Sequence, residues 1–106
     1  MTFQELMKQE LGYDCITTFW EDFAIADRFG LGAVRDTFRR AFNEWKTDYK
    51  YLTELVLVLN QRSWMHHAKK NTAFMELYSE LYDKASQYAE ENLKGEEYTY
   101  YFNLTD

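Results

Sequence analysis

Leu55-Val56-Leu57-Val58-Leu59 is the longest apolar run in the chain, and it sits in the middle of the stretch Tyr51–His67. A segment apolar on every side must be covered on every side. The sequence around it is amphipathic, so this stretch is expected to be the central helix of a small bundle, with its neighbours packed about it. The same five residues would also suit a buried strand. Three features favour the helix. Asp48 stands where a cap belongs, apolar residues recur over more than the length of a strand, and neither glycine nor proline occurs between Gly32 and Gly95.

Upstream, Thr2 and Glu5 have capping-box spacing, and Phe3, Leu6, Met7 and Leu11 form a short apolar face that stops at Gly12. A helix that short is marginal alone, so this first one must dock on the rest. Thr18 and Glu21 repeat the spacing. Ile16, Phe19, Trp20, Phe23, Ala26 and Phe29 then share one side of a second helix that Gly30 ends. Leu31, Val34, Phe38, Ala41, Phe42 and Trp45 predict a third helix, separated from the second only by Gly30-Leu31-Gly32, which implies an antiparallel hairpin or a sharp corner.

Beyond the central helix, Ala68-Lys69-Lys70-Asn71 breaks the pattern, with lysines suited to a helix C-terminus and Asn71 to a new cap. The stripe Phe74, Leu77, Tyr78, Leu81, Ala85, Tyr88, Ala89 and Leu93 predicts a last helix from Thr72 to Lys94, stopped by Gly95. The tail changes character. Tyr98, Tyr100 and Phe102 alternate with Thr99, Tyr101 and Asn103, a β-like pattern that predicts an extended arm or a strand paired with its copy in another chain. The expected fold is therefore an all-α bundle of about five helices over residues 1–95, with 96–106 as an aromatic tail of the same domain.

One domain of 106 residues buries about two-thirds of its unfolded surface. Neither a metal, a cofactor nor a disulfide is required to complete such a core. Aromatic residues make up 19% of the chain, more than that core needs, so some tyrosines should reach the surface and serve a contact. The net charge of −6 weighs against non-specific attraction to phosphate backbones. Cys15 has no second cysteine to pair with, and charged Glu5, Lys8 and Glu10 interrupt the region where a secretory signal would be apolar. A cytoplasmic protein is expected, in which the Asn103-Leu104-Thr105 sequon is incidental.

Few residues suggest chemistry. His66 and His67 are adjacent, so on a helix they point about 100° apart and do not readily face one ion. They read instead as a helix end, one histidine packed near Trp64 and the other solvated or capping carbonyls. Cys15 lacks a positioned base and reads as structural. Glu21, Asp22 and Asp27 could pair across a helical core, although charges at such positions usually form a solvated face. No catalytic or metal-ligating constellation emerges, so an enzyme is not expected. Arg35, Arg39, Arg40 and Lys46, flanked by Arg28 and Lys50, form the one basic group able to meet nucleic acid. Asp36 and Glu44 interrupt it, and Asp36 has the spacing to pair with Arg40.

The runs Phe19-Trp20-Glu21-Asp22-Phe23, Ile25-Ala26-Asp27, Asp36-Thr37-Phe38, Ala41-Phe42-Asn43-Glu44-Trp45-Lys46 and Glu91-Asn92-Leu93-Lys94-Gly95-Glu96-Glu97 together resemble a family of small helical proteins of bacteria and their phages. That family has no assigned activity. The resemblance therefore implies a mobile-element setting and carries over no functional residue.

The function expected is a non-enzymatic protein-interaction or accessory module that self-associates, with Tyr98, Tyr100, Tyr101 and Phe102 as contact surface. Removing Glu97–Asp106 should then weaken association and leave the helices intact. A nucleic-acid-binding regulator using Arg35, Arg39, Arg40 and Lys46 is the main alternative. An acidic inhibitor that mimics a phosphate backbone is the weaker one.

Overall fold

The computed structural model describes residues 18–105, which form five helices: α1 (Thr18–Phe29), α2 (Leu31–Trp45), α3 (Tyr49–Ala68), α4 (Thr72–Asn92) and α5 (Glu96–Thr105). The fold is all-α. The short helix expected over Thr2–Leu11, and Cys15, lie outside the described residues.

The all-round apolar run does organise the bundle. Every residue from Leu52 to Leu59 is buried, and α3 packs against each of the other four helices. Each leucine or valine so covered contributes about 1.5–3 kcal/mol. Phe19 and Phe23 from α1, Val34 and Phe38 from α2, and Leu77, Tyr78, Leu81, Ala85 and Ala89 from α4 complete the core. Two polar residues of α3 are buried among them. Thr53 turns its hydroxyl back to donate to the Tyr49 carbonyl at 2.7 Å, and Glu54 is fully enclosed. At the start of α3, Asp48 caps as expected, its Oδ1 accepting from the backbone N–H groups of Lys50 and Tyr51 at 3.0 and 3.2 Å.

The junctions are tight. Gly30 alone joins α1 to α2, while Leu31 and Gly32 belong to α2 itself. Its φ of 111° lies where side chains are rarely tolerated, and its N–H reaches the Ala26 carbonyl while its carbonyl receives the Val34 N–H. Between α3 and α4 the reversal falls on Lys70, at φ 60°, whose N–H meets His67 O at 3.0 Å while Asn71 N–H meets His66 O at 2.9 Å. This is the left-handed stop that glycine usually provides. Lys70→Gly should therefore raise stability by about 0.5–1 kcal/mol, read as a higher urea midpoint at unchanged slope. A lower midpoint would mean that Lys70 is not strained. Asn71 does precede α4, but its side chain makes no cap bond.

The tail departs from expectation: residues 96–105 are helical, not an extended arm. Glu96 and Glu97 place negative charge in the first turn, where the helix dipole favours it. The hydroxyls of Thr99 and Thr105 each fold back onto the carbonyl four residues earlier. As a helix the segment buries Tyr101 and sets Tyr100 edge-on against Tyr49, with centroids 5.2 Å apart, which ties α5 to the start of α3. No described helix is long and apolar enough to cross a membrane.

Candidate functional site

The stripe that buries Leu52, Leu55 and Leu59 continues one and two turns further along α3 to Arg62 and His66, four residues apart on one face. On α1, Asp27 is one turn beyond buried Phe23, and on α4, Tyr78 follows Phe74 at the same spacing. Three helices thus bring a carboxylate, a guanidinium, an imidazole and a phenol together inside the bundle.

Asp27, its side chain only 15% exposed, is the hub. One of its oxygens accepts from the Tyr78 hydroxyl, and the other from the Arg62 guanidinium and from His66 Nε2 at 2.8 Å. Arg62 Nε donates to the same Tyr78 hydroxyl at 3.3 Å, and the guanidinium lies 4.6 Å from the Trp20 ring centroid. That stacking adds an attraction between cation and ring face to the ion pair. The His66 ring is layered between Phe74 and Tyr78, with centroids 5.1 and 5.4 Å away, and its Nδ1 is buried with no partner among the described residues. Burial, and then the hydrogen bond to Asp27, hold the Tyr78 hydroxyl well above the ordinary tyrosine pKa. It therefore remains a neutral donor.

A shallow cleft of about 470 Å³ opens beside this cluster, walled by Trp20, Ala24, Met65 and Phe74 with Lys69 at its rim. The carboxylate facing it already takes three donors, and the phenol is held protonated. The polar contacts of the cluster join α1, α3 and α4, and His66 Nδ1 is the one buried polar atom of the cluster left without a partner among the described residues. No group of three or more metal-ligating side chains occurs among the described residues.

The second feature is a groove of about 670 Å³ between α1 and α2, with Phe19, Ala26, Ala33 and Trp45 among its lining. Ile25 and Phe29 stand on it, 53% and 78% exposed, and Leu31 beyond Gly30 is 41% exposed. The apolar stripes had placed Phe29 and Leu31 with the core. They flank the junction at the end of each helix, past the reach of the core cluster. Asp22, Asp36, Glu44 and Arg40 supply the polar part of the same groove. Burial pushes the Asp22 carboxyl above its ordinary value, partly opposed by Arg40.

The residues singled out by sequence are scattered. Tyr98 and Phe102 are exposed and stacked with centroids 6.1 Å apart, Tyr100 is half-buried, and Tyr101 is in the core rather than at the surface. In the basic group, Arg35 pairs with Glu80 of α4 at 2.8 Å. Arg39, not Arg40, pairs with Asp36, at 2.9 Å, and the Lys46 ammonium lies over the Phe42 and Tyr88 rings. Asp36 bonds three residues along the helix instead of four. Of the two histidines, His67 is the one against Trp64 and is exposed, whereas His66 is neither solvated nor a cap. Comparison with protein-family models, with curated proteins and with solved structures finds no match.

Proposed function

We propose that this chain is a cytoplasmic, non-enzymatic protein-interaction module whose contact surface is the face made by α1 and α2. The observation that carries the reading is the exposure of Phe29 and Ile25 on a groove of mixed apolar and polar lining, with exposed Leu31 close by across Gly30. A large ring left in water forgoes burial energy, and a cluster of such residues rimmed by polar side chains is the usual mark of a contact site. The tail offers the exposed pair Tyr98 and Phe102, on a helix that commits Tyr101 to the core. The single cysteine asks for no oxidising compartment. Nucleic-acid binding gains no support from the geometry, since Arg35 and Arg39 are engaged by carboxylates and Lys46 by aromatic rings.

The test is to place the photocrosslinker p-benzoylphenylalanine at position 29 and irradiate cells of the organism that makes the protein. A single adduct is expected at 29, its partner peptide identified by mass spectrometry. Ile25→Asp should abolish it, and the crosslinker at exposed Gln87 should give none. Absence of any adduct at 29 would sink the reading, and an adduct at 102 alone would move the surface to α5.

A further inference from the structure

We infer that the cleft beside Asp27, Arg62 and His66 binds a small organic anion, a carboxylate on a flat apolar body, and takes up a proton with it. The cleft shares no lining residue with the α1–α2 groove, so this site is separate from the proposed contact face. His66 lines the cleft and is only 6% exposed, yet its Nδ1 is buried with no partner among the described residues. Its other nitrogen faces the Asp27 carboxylate, which can only accept, so Nε2 carries the hydrogen. Nδ1 is then a lone pair on the neutral ring or a second N–H on the charged one. Either is costly to bury alone.

Two further sources of positive potential meet at the same opening. The Lys69 ammonium stands at the rim, and no ion pair holds it among the described residues. Asn71 also lines the cleft, and although it occupies the cap position of α4 its side chain makes no cap bond. The N–H groups of Thr72, Ala73 and Phe74 thus have no carbonyl within α4 to reach and no cap from Asn71, which leaves the positive end of a 21-residue helix at the site. Arg62 and Lys69 stand against Asp27 alone among the charged lining residues, and Arg62 already answers Asp27. The excess is one positive charge, in a chain of net −6. A cation would be repelled here, and an anion is complementary.

The walls decide what the anion is attached to. Trp20 and Phe74 are half-buried, and with Ala24 and Met65 they make one side of a 470 Å³ space apolar, within the size range of small-molecule sites. An inorganic anion would leave those walls uncovered. A carboxylate meeting Nδ1 needs a proton between the two, and the count is the same whether the imidazole or the ligand holds it. The charged and titratable groups around the ring are Asp27 from α1, Arg62 and Lys69 from its own stretch of chain, and Tyr78 from α4. Asp27 and Arg62 offset one another and Tyr78 stays neutral, so the proton comes from solvent.

The experiment titrates benzoate into the purified, isotope-labelled full chain at about pH 6 and about pH 8, followed by amide and imidazole resonances. Saturating shifts are expected at His66, Lys69, Asn71 and Phe74, with affinity about tenfold higher at the lower pH. The His66 Nδ1 resonance should move along the same binding curve. Benzamide, of the same shape without the charge, should bind at least tenfold more weakly and without dependence on pH. Lys69→Gln, at an exposed position that leaves the core untouched, should weaken benzoate about tenfold. No saturating shift up to about 20 mM benzoate would overturn the site. Benzamide binding as tightly as benzoate, or Lys69→Gln without effect, would overturn its preference for an anion. Inorganic phosphate binding as tightly as benzoate would overturn the organic body, and benzoate binding that ignores pH and leaves Nδ1 unmoved would remove His66 from the site.

Discussion

Arg62→Ala is expected to cost about 3–5 kcal/mol, because it removes the cation from a buried pair and leaves the Asp27 carboxylate behind with its charge uncompensated. The substitution also empties the place over Trp20 and takes one of the three polar partners of the Tyr78 hydroxyl. Against a total stability of about 5–15 kcal/mol for a domain, a loss of that size removes a substantial part of the margin. Urea unfolding followed by far-ultraviolet circular dichroism gives the number directly. The companion variant separates the charge from the contacts. Arg62→Met with Asp27→Asn keeps a carbonyl acceptor for Tyr78, offers an amide donor to His66 Nε2 in its other tautomer, and holds no unpaired charge, so the double variant should be more stable than Arg62→Ala alone. A cost below about 1 kcal/mol for Arg62→Ala would place the pair in the energetic class of solvated surface bridges and refute the buried-lock reading.

Deleting Glu97–Asp106 is the second large effect, and the fold reverses what the sequence pattern suggested for it. An extended arm could be removed without harm to the bundle. A helix that seats Tyr101 in the core cannot, and truncation should cost at least the ~3 kcal/mol expected for Tyr101→Ala. The melting temperature should fall by well over 10 °C for a domain of this size, about 4–8 °C per kcal/mol. An unchanged melting temperature would show that α5 is not integral. Alkali tests the same contact. Burial pushes the Tyr101 hydroxyl from 10.0 to about 12. The folded chain therefore holds a proton that the unfolded chain gives up. This contribution is complete below about pH 10 and is lost as the pH rises through about 12. Tyr101→Phe should flatten that part of the stability profile, and an identical slope in both proteins would count against it.

The elements that could be read from sequence are those whose pattern had one physical solution. A run apolar on all sides, preceded by a usable cap, left α3 little choice, and residues 51–67 were anticipated within an element observed at Tyr49–Ala68. The tail had two solutions. Over the six residues 98–103, alternation and a helical face cannot be distinguished, and only the docking of Tyr101 against the bundle selects the helix. The Asp27, Arg62 and His66 cluster was legible in part. Both α3 residues extend a buried stripe at steps of three and four, a signal outweighed by the usual habit of charged residues to face water. Which acid would meet them depends on how α1 lies across α3, and that is not written in either helix. The same is true of Phe29 and Leu31, whose periodicity is apolar but whose positions outrun the element that would cover them.

The order of helices along the chain also decides when the most dangerous stretch is hidden. The apolar run of α3 is covered chiefly by α4, its immediate successor, across the three-residue link 69–71. Contacts between such close neighbours form without long loop closure, which places refolding in the microsecond-to-millisecond range of helical bundles. The sequence contains no proline, so no isomerisation phase of tens of seconds stands in the way. During synthesis the run remains uncovered only while the 21 residues of α4 are being made, a matter of seconds at about 5–20 residues per second. An aggregation-prone segment is thus placed where its exposure on the ribosome is brief.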